Sequence, residues 1–195
     1  MKYSLSEITE VIKNRRTVYP EFYSSRKVHK EIVEALLNNA VWAPTHGMTQ
    51  PWRFNVFMGE GLNKLSEFQS SLYKEKFSGE KFNEKKFDKL KNWPLKTSVI
   101  IAICMTPDPK GKIKEIEEIE ATACAVQNMM LSATAYGIGS YWSSGGVTYL
   151  DETKKFLELN ETDLCLGFLY LGYPEGDWPK SQRKPIEYIT KWTEE

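Results

Sequence analysis

Residues 98–106, SVIIAICMT, form a run with no charged side chain, rich in β-branched residues and flanked by Pro94 and Pro107. A half-exposed strand would alternate polar with apolar positions, so this run reads as a central strand buried on both faces. Such a strand exists only inside a sheet covered by two layers, and much of the remaining chain has to supply that cover. DLCLGFLYLGYP at 163–174, interrupted by Gly167 and Gly172, predicts a second buried strand. Both runs are too short to span a bilayer, so neither a transmembrane helix nor a signal peptide is expected.

The cover is helical. Leu5, Ile8, Val11 and Ile12 recur at helical spacing behind Ser4 or Ser6 as N-cap, which predicts a helix over 5–15. Ile32, Leu36, Leu37 and Ala40 predict another over 30–42, ending before Pro44. Alternation in WRFNVFMG predicts a strand near 52–58, and GLNKLSEFQSSLYKEKF reads as helix again. Residues 74–92 are dense in Lys and Glu, and a mobile lid is expected near 66–96. A long Ala-rich helix follows over 116–137, with Ala121, Ala125, Met129 and Ser132 spaced to admit a neighbouring helix closely. GIGSYW is strand-like, and Asp151 caps a short helix. Helices and four or five strands are interspersed without a β-α-β rhythm, so the expected class is α+β, as a single domain over 1–195.

Charge narrows the function. Lysine plus arginine and aspartate plus glutamate each total 26, so no overall basic field exists to recruit nucleic acid or an anionic membrane. Cys104, Cys124 and Cys165 lie far apart without a C-x-x-C pair, which argues against a disulfide framework or structural zinc and fits a reducing, cytoplasmic setting. His29 and His46 have no carboxylate pair at metal-ligand spacing. No nucleophile elbow, P-loop or Rossmann turn is present, so an enzyme of this kind needs a cofactor for the difficult step.

Four segments could hold one. Lys13, Arg15, Arg16 and Thr17 offer cationic forks and a hydroxyl suited to a phosphate, or else a basic helix end opposing the macrodipole. APTHGMTQPWRF gathers Thr45, His46, Thr49 and Gln50 in a loop that is either functional or a structural turn. YWSSGGV sets Trp142, Ser143 and Ser144 before two glycines, where a flat ligand could approach the backbone, or where the chain merely turns. KSQRKP brings Lys180, Arg183 and Lys184 into the tail, as a second cationic cluster or a solvated one. Aromatic residues, 13% of the chain, hint at flat surfaces for stacking or burial.

The order of these segments, from RRT through APTHGMTQPWRF and GIGSYWSSGG to LGFLYLGYP and RKPIEYI, resembles the nitroreductase family of flavoproteins over about residues 7–190, closest to its small-chain branch with a histidine in the second motif. The resemblance implies an α+β sandwich, a mixed, mainly antiparallel sheet flanked by helices, working as an intertwined homodimer with FMN at each subunit interface. It implies that Arg15, Arg16 and Thr17 hold the flavin phosphate and ribityl chain, joined by Arg183, with Lys180 and Lys184 as weaker candidates. His46 matches a flavin-contacting position, and Trp42 stands where an arginine is common. Gln50, Pro51 and Trp52 preserve a structural signature, while Met48 replaces a frequent asparagine. Trp142, Ser143, Ser144 and Gly145 match the stretch lining the flavin, and one of Lys85, Lys86 and Lys89 could reach its pyrimidine end. The implied activity is ping-pong hydride transfer from NADH or NADPH through flavin N5 to a small-molecule electron acceptor such as a nitroaromatic or quinone, with no side chain acting as acid or base. The alternatives are a same-fold dehalogenase or enone reductase, or a non-catalytic FMN-binding protein.

Overall fold

The run at 98–106 becomes β2 (Val99–Met105), every residue of which is buried. The computed structural model describes residues 3–194. In it β2 pairs on one side with β1 (Trp52–Phe57) and on the other with β4 (Leu164–Gly172), which pairs in turn with β3 (Gly139–Ser143). All three pairings are antiparallel. An isolated parallel bridge, Thr17 with Ser140, extends the sheet beyond β3.

Successive side chains of a strand point to opposite faces, and β2 fills two cores in this way. Val99, Ile101 and Ile103 face a layer made by α2 (Lys30–Ala40) and α5 (Glu115–Ala135), through Leu36, Ala125 and Met129. Ile100, Ala102 and Cys104 face α3 (Glu60–Lys76) and α4 (Glu84–Lys96), through Leu62, Leu65 and Trp93. The result is the helix-covered sandwich expected of a doubly buried strand. The small residues of α5 let α2 come close, and Asn39 Nδ2 then donates to Ser132 Oγ at 2.9 Å.

Ser4 caps α1 (Leu5–Asn14), its hydroxyl accepting from Glu7 N. This helix buries none of its residues: Leu5, Ile8 and Ile12 remain exposed along one stripe. The segment expected as a lid, 66–96, is folded as α3 and α4, with Leu72, Tyr73 and Trp93 buried. Asp151 lies in the first turn of α6 (Asp151–Phe156) and not at its cap, which Leu150 occupies without a side-chain bond.

Candidate functional site

Beyond α1 the chain runs extended past Arg15, Arg16 and Thr17, and Val18 N donates to Ser140 O at 3.0 Å. This pairing lays the first cationic segment beside β3. The tail returns to the same place, where Trp178 Nε1 donates to Asn14 O at 2.6 Å. Arg183 is thereby brought near enough to Arg15 to act on its charge. Burial, then the guanidiniums of Arg183 and Arg16, pull Arg15 below the usual arginine value. None of the three forms an ion pair with a carboxylate among the described residues. Like charges gathered without a counter-ion repel one another, and an anion placed between them relieves that cost.

The three arginines are not equivalent. Arg183 Nη1 donates to Ser181 Oγ at 2.6 Å and to Gln182 O at 2.9 Å. Arg16 Nη1 bonds back to Lys13 O and Arg15 O, and its Nε is buried without a partner. Arg16 also turns into a cleft of about 700 Å³ lined by Trp178, Pro179 and Lys180.

A second cleft, of about 620 Å³, opens next to the same strand. Its floor is aromatic: Tyr19, Trp93, Tyr141 and Tyr170 pack with ring centroids 4.9 to 6.5 Å apart. Its walls are Trp142, Ser143, Ser144 and Gly145 on one side and Lys86, Lys89 and Leu90 of α4 on the other. Lys89 Nζ stands 4.7 Å from the Trp93 ring centroid. Burial, then the neighbouring Tyr141, raises the Tyr170 phenol, so it stays protonated at any working pH. Thr17 lies one bridge from Ser140 and two residues before Tyr19, so the cationic group and the aromatic cleft are neighbours along one edge. The cleft's volume suits one flat polycyclic ligand.

Trp42 and His46 lie elsewhere. His46 Nδ1 donates to Glu117 Oε2 on α5 at 2.5 Å, and Trp42 is 84% exposed. Their loop is held in an unusual shape, with Met48 at φ 55° and Gln50 at φ 46°. Thr45 Oγ1 accepts from Gln50 N at 3.2 Å, and Arg53 Nη1 donates to Gln50 O at 2.9 Å, which fixes the turn and points Met48 outward. The expected site residues thus fall into two groups: Arg15, Arg16, Thr17, Arg183 and Trp142 to Gly145 around the sheet edge, Trp42 and His46 on the second loop.

Sequence reasoning missed Tyr19, Tyr141, Tyr170 and Trp93 as cleft residues. Tyr141 opens YWSSGGV and Tyr170 lies in LGFLYLGYP, but Tyr19 and Trp93 had no signal beyond the high aromatic content, and the four sit in different elements. It also missed Glu117, whose role appears only when α5 is packed against the second loop.

The profile of the nitroreductase family matches residues 12–173. YdjA of Escherichia coli, provisionally named an NAD(P)H nitroreductase, is 30% identical over 145 residues, 74% of this chain and 77% of its own. A solved nitroreductase-like family protein from Bacillus cereus superposes with a TM-score of 0.80 at 30% identity, covering 100% of this chain and 98% of that one. The FMN-dependent nitroreductase NfnB from Mycobacterium smegmatis, solved with NADPH, shares the fold with a TM-score of 0.76 at 19% identity, over 98% of this chain and all of its own. With the family profile matching residues 12–173 and the fold matching the whole chain at 30% identity, the chain belongs to the nitroreductase family.

Proposed function

We propose that the protein is an FMN-dependent NAD(P)H oxidoreductase that reduces planar electrophilic acceptors such as nitroaromatics or quinones. The observation that carries the reading is the meeting of Arg15, Arg16 and Arg183, from both ends of the chain, without an ion-paired carboxylate among the described residues. The residues fit the cofactor. The arginines suit a phosphate, the 620 Å³ aromatic cleft suits a fused ring, and a Cβ built at Gly145 would meet nothing within 4 Å, leaving its backbone open to a ligand.

When bound, FMN supplies the hydride and electron chemistry between nicotinamide and acceptor. The chain's part is to hold and surround. Arg15 and Arg183, with Arg16 and the Thr17 hydroxyl, grip the phosphate end. Lys86 and Lys89, against the one acid Glu21, leave the cleft lining net positive, which favours negative charge developing there, while Trp142 to Gly145 would line the ring and exclude water. Trp42 and His46 reach the cofactor of a second copy, because their loop stands apart from the cleft of their own chain, and the homodimer completes each site. Each chain acts as one domain, with the 66–96 helices closing over the cleft.

The test is the absorption spectrum of purified protein, followed by anaerobic addition of NADH or NADPH. A yellow protein that bleaches supports the reading; a colourless one that takes up no FMN overturns it. Replacing Arg15 or Arg183 by Ala should each weaken FMN retention about ten- to a hundredfold, as expected for loss of a charged hydrogen bond worth roughly 1.5–3 kcal/mol. Full flavin content in both variants would remove the phosphate assignment.

A further inference from the structure

Cys104 on β2 and Cys165 on β4 are paired directly across the antiparallel ladder, and both are buried. Buried cysteines ordinarily serve as small apolar side chains. What sets this pair apart is its position. The register slips between Ile103 and Cys104: Ile103 pairs with Gly167 while Cys104 pairs with Cys165, so Leu166 is left over as a bulge. The two side chains lie on the same side of the sheet, in one apolar cluster, and Cys165 Sγ approaches Gly167 O at 4.0 Å. Directly opposed residues on antiparallel strands have Cα atoms roughly 4.5–5.5 Å apart, inside the span of about 4.4–6.8 Å that a disulfide bridges.

The bulge also reaches the cleft. The carbonyl of Leu166 accepts from Trp142 Nε1 at 3.1 Å. At Gly167, φ is +132°, and a Cβ there would lie 2.5 Å from Ser143 O and 2.6 Å from Trp142 Nε1. Cys165 is therefore one residue from the group that holds the Trp142 indole and two from the backbone against which Ser143 lies.

We propose that Cys104 and Cys165 form a reversible cross-strand disulfide when hydrogen peroxide reaches them, and that this closure shifts the bulge and with it the Trp142–Ser143 wall of the cleft. Contact with Cys104 pulls the Cys165 thiol below its usual value, while contact with Cys165, then burial, push Cys104 above it, so Cys165 is the more easily ionised of the two. The Cys165 thiolate attacks one peroxide oxygen, the O–O bond breaks, and the other oxygen leaves as water with a proton. Cys104 sulfur then displaces the oxygen from the Cys165 sulfenic acid as a second water. Two thiols lose two electrons and two protons, and one peroxide becomes two waters. A thiol reductant reverses the bond.

The switch is independent of the flavin reading and is tested without it. Cys124 is exposed, so Cys124→Ser serves as background to prevent crosslinking between chains. The native protein is treated with hydrogen peroxide, alkylated and digested without reductant. A peptide joining Cys104 to Cys165, lost on treatment with dithiothreitol, is expected. Cys104→Ser should give instead a dimedone-trapped sulfenic acid on Cys165 and no joined peptide. Amide hydrogen exchange over 139–146 should change between the oxidised and reduced forms. Failure of the folded protein to form the joined peptide, or its appearance only in denaturant, overturns the proposal in the unaltered pair alone, whatever the fate of Cys104→Ser. Unchanged exchange over 139–146 in the crosslinked protein overturns the link to the cleft.

Discussion

A Cβ at Gly167 would lie 2.5 Å from the Ser143 carbonyl, closer than real side chains approach, at a φ of +132° that other residues rarely adopt. A Cβ at Gly145 would meet nothing within 4 Å. Two glycines at the cleft therefore make opposite predictions. Gly167→Ala should cost about 1–3 kcal/mol, as overpacking does, and lower the melting temperature. Gly145→Ala should leave the melting temperature unchanged and weaken FMN binding, because the only thing its methyl can meet is a ligand. A titration of both apo-variants with FMN beside thermal melts separates the two. Asp108 gives a pH test of the same local kind. Its Oδ1 accepts from Lys110 N at 3.1 Å and its Oδ2 from Lys112 N at 2.9 Å, and these backbone bonds hold its carboxyl below the usual range. A carboxyl whose folded value lies below its unfolded one stabilises above the unfolded value, and that contribution is lost as pH falls through the folded one. Amide exchange at Lys110 and Lys112 should thus be slow at neutral pH and, after correction for intrinsic rates, lose protection only below the ordinary aspartate range.

Among the elements, α2 was legible from its apolar spacing, and Leu36, fully buried against the α5 layer, carries that packing. Leu36→Ala should cost about 2–5 kcal/mol, seen as a lower urea midpoint with an unchanged slope. α1 teaches the opposite lesson. Its periodic Leu5, Ile8 and Ile12 announced a helix correctly, yet that stripe is exposed in the single chain, since periodicity reports that a face wants cover and not what covers it. The lysine-rich α4 shows why composition misleads. Lys86, Lys89, Leu90 and Trp93 follow the spacing of one helix face and line the cleft together, so a stretch that looked like solvated surface is half wall.

For the molecule as a whole, exposed apolar side chains collect on α1, on the second loop and on the tail: Ile8, Ile12, Trp42, Met48, Tyr188 and Trp192 among them. Apolar side chains are costly to leave wet, which supports the proposed association with a second copy. Sedimentation velocity should find a dimer at micromolar concentration, and a flavin-loaded monomer would contradict the shared site.

Local chemistry in the chain determined the buried strand, the capped and periodic helices, the α+β class and the segments able to hold an anion, because each depends on neighbours a few positions apart. The order of those segments carried the family as well. Only the tertiary structure decided that Arg183 from the tail meets Arg15 and Arg16, that four aromatic rings from four elements make one floor, and that His46 pairs with Glu117 instead of lining the cleft beside Trp142. Those meetings depend on how sheet register and helix packing fold distant segments together, and a linear pattern holds no distance between residues that far apart.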